Sequence, residues 1–327
     1  MEYRTVGRTG VKVSPLVLGT MSFGAEADEA ASREMYRAAR ERGINFFDTA
    51  DVYSGGVSEE WLGKFSAAER DDVVIASKAF YPVGADVNAQ GLSRRHLIQA
   101  VEGSLMRLGT DRIDFYFVHA FDEETPIEET LRALDDLQRS GKILYPAVSN
   151  WAAWQIATAL GISARESLSR FELVEPMYSL VKRQAEVEIL PLAQAENLGV
   201  ISYSPLGGGL LTGKYRAGAR PEQGRLVENA RYGDRYSRES DVATAERFAA
   251  FADDAGASTV TLAVAWAMGQ PGVTAPIVAG RNPGQLEASL AALDFGMSPE
   301  MRARITALSA TPAPATDRAE VLTGKWS

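Results

Sequence analysis

The chain contains no cysteine. That absence removes disulfide bonds, thiol nucleophiles and thiolate metal sites at once. Histidine is nearly as scarce: His96 and His119 are the two present, too few for a multi-histidine metal centre. No uninterrupted apolar run reaches the ~18 residues of a membrane-spanning helix. The first residues, "MEYRTVGRTGVKVSPL", hold no apolar core of signal-peptide length, so the cytoplasm is the expected location. Positive charge is in the minority, 34 Lys and Arg against 43 Asp and Glu, for a net charge of −9. Nucleic acid and anionic membrane are therefore disfavoured as principal partners.

What is present is a repeating rhythm. The chain has 327 residues, 46% of them hydrophobic, and no linker divides it, so one domain over residues 1–327 is expected. Eight strand-like apolar runs stand out: residues 16–19, 44–48, 73–78, 113–119, 143–149, 171–176, 200–205 and 273–280. Segments of helical period separate them. The clearest starts at Ser93, a good N-cap, carries Leu97, Ile98, Val101, Leu105 and Leu108 on one face, and stops at Gly109. Nearly continuous apolar strands alternating with helices mean a parallel sheet covered by helices. Eight such units predict an α/β fold of the (β/α)8 barrel type. A doubly wound sheet would want a glycine-rich turn after the first strand, and Gly19 and Gly24 lie too far apart for it. A hairpin of residues 2–6 and 11–13 is expected to cap the bottom, with additional helices at about 240–255 and 298–308.

In a barrel, active sites form at the C-terminal ends of the strands. "INFFDTADVY" ends its strand at Asp48 and places Tyr53 just beyond; Lys78 ends the third strand and His119 the fourth. The four form a coherent acid. A free phenol has a pKa of about 10. A neighbouring ammonium lowers that value, and a carboxylate beside the ammonium keeps it charged and oriented. An imidazole can hydrogen-bond the oxygen that the phenol protonates. The pH profile is expected to report a group below the ordinary tyrosine value. The set offers neither a nucleophile nor a metal-ligand cluster, so the electrons for a reaction at a carbonyl must come from a bound cofactor.

The stretches "FFDTADVYSGGVSEEWLG", "VIASK", "IDFYFVH", "VSN", "ISYSPLGGGLLTGKY" and "AGRNPGQLEASL" occur in order across most of the chain. Together they resemble the aldo-keto reductases, especially the branch of bacterial reductases and voltage-gated potassium-channel β subunits. The resemblance implies reversible hydride transfer between NADP(H) and a small-molecule aldehyde or ketone. Tyr53 would be the proton donor, Lys78 and Asp48 would tune it, and His119 would position the carbonyl. It further implies that Ser149 and Asn150 hold the nicotinamide carboxamide and that Tyr203 stacks on the ring. Gly19, Thr20 and Met21 would lie near the ribose and nicotinamide. The glycine-rich stretch 204–214, with Ser204, Leu206, Gly208 and Lys214, would fold over the pyrophosphate. Arg281, after Gly280, precedes Asn282 and Pro283, which read as the N-cap and first residue of a helix. By resemblance Arg281 takes the 2′-phosphate, and Gln285 and Ser289 contact the adenosine, although family members commonly carry Asn at the Ser289 position. A second departure is "EPMY", where Glu175 replaces the usual glutamine. An ionised Glu175 accepts only and favours the cationic oxidised cofactor; a protonated one mimics glutamine.

The substrate rim is expected from Phe23, Phe80, Tyr81, Trp151, the Gly- and Arg-rich loop of about 207–240, and the tail ending in Trp326-Ser327. His96 reads as a surface or helix-packing residue, and "AERDD" (68–72) as a solvated turn. The alternative function implied by the resemblance is a cofactor-binding regulatory subunit of a membrane channel.

Overall fold

The computed structural model describes residues 1–219 and 221–318. Among them, eight parallel strands close into a barrel: β1 (Val17–Gly19), β2 (Phe46–Asp48), β3 (Val74–Ala79), β4 (Ile113–Val118), β5 (Ile143–Ser149), β6 (Leu173–Glu175), β7 (Gly199–Ser202) and β8 (Ala275–Val278). β8 pairs back onto β1 through Ile277↔Val17, which completes the closure. Some strands are shorter than their apolar runs. β7 stops at Ser202 because Tyr203 makes one isolated bridge to Met177 and Ser204 turns to a φ of 60°.

Helices α1 (Glu29–Glu41), α2 (Val57–Ser66), α3 (Arg94–Leu108), α4 (Ile127–Arg139), α5 (Ala153–Glu166), α6 (Ile189–Ala195), α7 (Thr259–Met268) and α8 (Pro283–Leu290) follow the strands in turn. Local chemistry sets several of their ends. Ser93 caps α3 by accepting from His96 N, and Gly109 ends it with a φ of 62°. Asn282 caps α8 by accepting from Gln285 N, with Pro283 at the first position. The additional helices lie at Glu239–Asp254 and Pro299–Thr306. His96 is buried in α3, in keeping with a packing role. The run 68–72 has no buried residue, yet Glu69 accepts from Tyr36 and Arg40, and Arg70 pairs with Asp114 at 2.7 Å.

Two apolar layers organise the core. Alternate strand residues Val17, Phe46, Val74, Ala76, Phe115, Phe117, Ala147, Leu173, Ile201, Ala275 and Ile277 fill the barrel interior. The intervening residues, such as Leu18, Phe47, Ile75, Tyr116 and Val148, pack outward against the helices. Strands buried on both faces read as continuous apolar runs. The hairpin of Arg4–Thr5 with Lys12–Val13 closes the bottom. Arg4 donates to the carbonyls of Met268 and Thr274 at the entry to β8. Gly7 has a φ of 47°, and a Cβ there would stand 2.7 Å from the Asn197 carbonyl oxygen, so the plug needs glycine at that point.

Candidate active site at the strand ends

The inward set of side chains continues past the apolar plug. Two residues beyond Val17, Phe46, Ala76, Phe117, Leu173 and Ile201 come Gly19, Asp48, Lys78, His119, Glu175 and Tyr203. The pleat gives each the same inward sense as the residue beneath it. An acid, an ammonium, an imidazole and a phenol therefore meet at the barrel mouth for the same geometric reason that apolar side chains fill the interior below.

Lys78 is fully buried. Its Nζ donates to the Asp48 carboxylate and, at 2.9 Å, to the Thr49 carbonyl oxygen; Glu175 Oε2 lies 3.5 Å away. Tyr53 begins a tight turn after β2, in which Ser54, Gly55 and Gly56 all have positive φ. Ser54 Oγ pins that turn by donating to the Phe23 carbonyl at 2.7 Å. The Tyr53 ring centre is 5.3 Å from Lys78 Nζ and 6.0 Å from the His119 ring, which it meets edge-on. Asn150 Nδ2 donates to the His119 carbonyl and to Ser149 Oγ, and Tyr203 donates to Asn150 Oδ1 at 2.7 Å. These bonds tie the ends of β4, β5 and β7 across the mouth.

Burial governs the protonation states. It penalises the Lys78 ammonium, but Asp48, Glu175 and Tyr53 outweigh that effect and hold its pKa above the ordinary lysine value. His119 is pushed down to about 3 by burial and then by Lys78, so its imidazole is neutral at physiological pH. Burial raises Asp48 against the pull of Lys78. Glu175 is pushed up to about 8 by burial, opposed by Lys78 and reinforced by Asp48. Tyr53 corrects the sequence expectation. Burial raises its phenol above the ordinary value; Lys78 pulls the other way, but not far enough, and Asp48 and Glu175 add to the rise. A dry site with two carboxylates near the ammonium offers less help to a phenolate than an isolated lysine would.

A cleft of about 1240 Å³ opens over these residues and runs to the start of α8. Gly19, Met21, Asp48, Tyr53, Tyr81, His119, Asn150, Glu175, Tyr203, Ser204, Leu206, Gly208, Lys214, Gly280, Arg281, Gln285 and Ser289 line it. At one end His119 Nδ1 and Glu175 Oε2 are buried without hydrogen-bond partners; at the other, Ser289 Oγ is. Unpartnered buried polar atoms at both ends of a long cleft fit an elongated ligand with polar groups along its length. Gly208 has a φ of 64°, and a Cβ there would meet Tyr236 at 2.8 Å, so the wall requires its absence. Arg281 hydrogen-bonds Glu228 and lies 3.9 Å from Glu26; Lys214 and Arg225 line the same end of the cleft.

Other expected residues are placed differently. Thr20 is buried behind the wall, donating to the Asp48 carbonyl and bonded to Ser58. Ser149 Oγ donates to the Glu175 carbonyl at 3.1 Å and is likewise buried. Of the four rim aromatics, Tyr81 lines the cleft, meeting the His119 ring edge-on at 5.0 Å. Phe23 is fully buried against Phe65, and Trp151 packs between Phe121 and Phe171. Phe80 packs edge-on to Tyr81 and supports it. The Trp326-Ser327 tail lies outside the described residues. The expected loop of about 207–240 does line the cleft, but sequence reasoning singled out none of its residues 225–235: the Tyr232 ring sits near the Arg225 and Arg235 guanidiniums, 5.1 and 5.0 Å from its centre, and Arg231 lines the cleft beside them. The arginine richness of that loop was the available signal.

A (β/α)8 barrel with a buried acid–ammonium pair, a phenol and an imidazole under a long cleft defines a class of enzyme built to act on a small molecule beside a bound cofactor. Residues 15–310 match the sequence pattern of the aldo/keto reductase family, and the chain belongs to that family. It is 36% identical over 317 residues to an uncharacterized oxidoreductase, YrpG, of Bacillus subtilis, covering 92% of this chain and 94% of that one. It is 35% identical over 301 residues to a probable voltage-gated potassium channel subunit beta of Arabidopsis thaliana, covering 90% and 92%. Versiconal hemiacetal acetate reductase of Aspergillus parasiticus is 34% identical over 333 residues, covering 92% and 94%. The family and these names support an oxidoreductase that uses a nicotinamide cofactor on small carbonyl compounds. Among the described residues no helix is long and apolar enough to cross a membrane.

Proposed function

We propose that this chain is an NADP(H)-dependent reductase of aldehydes or ketones, working in the cytoplasm, in which Tyr53 is the general acid. The observation that carries the reading is the meeting of Asp48, Tyr53, Lys78 and His119 from β2, β3 and β4 at one cleft. When bound, NADP(H) supplies the hydride to the carbonyl carbon. The phenol of Tyr53 gives its proton to the carbonyl oxygen, and the alcohol forms. Lys78 stabilises the phenolate left behind, and Asp48 holds the ammonium in place. Neutral His119 offers an N–H to the same oxygen, which fixes the carbonyl's orientation. The phenolate regains its proton from solvent. Tyr203 and Asn150 would hold the nicotinamide, and Gln285 and Ser289, which line the far end of the same cleft, would contact the adenosine. Arg281, with Lys214 and Arg225 nearby, supports the choice of NADP(H) because guanidinium recognition of a 2′-phosphate is charge-assisted.

Tyr53→Phe tests the proposal, because it deletes the acidic proton and keeps the ring's packing. Reduction of a panel of aldehydes, ketones and keto-sugars should fall by about 10²–10⁴-fold, the usual scale for a positioned acid, while NADPH still binds. Near wild-type turnover would overturn the assignment. A cofactor-binding regulatory role, the alternative reading, would instead give wild-type protein that binds the cofactor and turns over none of the panel.

A further inference from the structure

Two buried carboxylates share one ammonium at the barrel mouth. Asp48, from β2, takes the hydrogen bond of Lys78; Glu175, from β6, stands at 3.5 Å, close enough for an ion pair, with Oε2 free of any hydrogen bond. Ionised together, the two acids and the ammonium leave one net negative charge in a dry site, which is costly. The neighbouring groups do not relieve it. His119, beyond β4, is held neutral by burial and Lys78. Tyr53, beyond β2, and Tyr203, beyond β7, are raised by burial and stay protonated, although Arg235 pulls Tyr203 down. Lys78, on β3, stays charged. Titration near neutral pH therefore falls on the carboxyl pair. Within the pair it falls on Glu175, because Asp48 already has its hydrogen bond.

We propose that Glu175 is a positioning residue that couples a proton to the redox state of the bound nicotinamide cofactor, holding it beside the reduced form and releasing it beside the oxidised form. The inference rests on reading the cleft as the cofactor site. Glu175 lines that cleft between Asn150 and Tyr203. A reduced nicotinamide ring is neutral and an oxidised one is a cation, so a carboxylate in the wall discriminates between them and a carboxylic acid does not. The same ionisation raises the Tyr53 phenol further and makes it a weaker acid. Protonated Glu175 thus favours carbonyl reduction, and ionised Glu175 favours alcohol oxidation. Its proton does not enter the product: Tyr53 protonates the carbonyl oxygen, and Glu175 exchanges with solvent.

The test is the ratio of dissociation constants for NADP⁺ and NADPH, measured for wild type and Glu175→Gln from about pH 5.5 to about pH 9. The 2′-phosphate titrates in both cofactors and cancels in the ratio. In wild type the ratio should fall, tightening NADP⁺ relative to NADPH, by roughly tenfold as pH rises through the carboxyl's range. In Glu175→Gln it should be flat. Calorimetry in buffers of different ionisation enthalpy gives a second readout, since NADPH should bind wild type with more proton uptake than NADP⁺ does. A flat wild-type ratio with equal proton uptake overturns the proposal, as does an unchanged slope in the variant. Failure of wild type to bind either cofactor overturns the reading of the cleft itself, and this inference with it.

Discussion

Lys78→Met removes the ammonium and leaves Asp48 and Glu175 facing each other in a dry pocket. Lys78 is fully buried; it donates to Asp48 and to the Thr49 carbonyl oxygen, and Glu175 stands within ion-pair distance at 3.5 Å. Removing one member of a buried ion pair costs about 3–5 kcal/mol, because the remaining charge is left uncompensated. With two carboxylates abandoned, the upper half of that range is expected at about pH 8. The loss should depend on pH, and its sign follows from linkage. Both acids are already raised by burial in wild type, and loss of the ammonium, which opposes that rise, lifts them further above their unfolded values of about 4. A raised acid lowers stability progressively above its unfolded pKa, and the loss is complete above its folded pKa. The deficit of Lys78→Met against wild type should therefore be larger at about pH 8 than at about pH 5, by roughly 2 kcal/mol. Urea unfolding at the two pH values measures it, with the denaturant slopes compared to check that both proteins unfold as the same unit. Adding Asp48→Asn to Lys78→Met should recover part of the loss at high pH. A deficit below about 1 kcal/mol, or one independent of pH, would refute the picture of a lysine neutralising two buried acids.

Arg281→Ala should weaken NADPH binding by about 1.5–3 kcal/mol and leave NADH nearly unchanged, as titrations of both cofactors would report. Equal weakening would move the arginine's role to the pyrophosphate or the fold. Because Arg281 is paired with Glu228 in this structure, Glu228→Gln should free the guanidinium and tighten NADPH; weaker binding in that variant would contradict the competition. Asp51 is buried with both carboxylate oxygens unpartnered, and burial with Glu59 pushes it up to about 7. A raised acid lowers stability as pH rises from about 4 to about 7, so Asp51→Asn should stabilise the protein by about 1–3 kcal/mol at about pH 8 and little at about pH 4. Equal effects at both pH values would show that the charge is not the cause.

Local signals in the chain settled the order of elements and many of their ends. The alternation of apolar runs with helical periods, the N-caps Ser93 and Asn282, and Gly109 after α3 act over a few residues, and a sequence displays such interactions directly. The strand ends were legible for the same reason. Closure of a parallel barrel brings strand ends together, so the residue order alone places Asp48, Tyr53, Lys78 and His119 at one mouth. Other features depended on packing between distant segments. Strands buried on both faces carry no alternation to reveal which residues face inward, so closure alone set the parity that stacks Asp48 over Phe46 and Lys78 over Ala76. Closure likewise sent Phe23 and Trp151 into the helix-facing layer and left Tyr81 at the cleft. The pairing of Arg281 with Glu228 spans 53 residues of sequence. The approach of Glu175 to Lys78 crosses the barrel mouth from β6 to β3, two strands that are not neighbours in the sheet. The sequence names both charges; their distance, and with it their protonation, exists only once the barrel has closed.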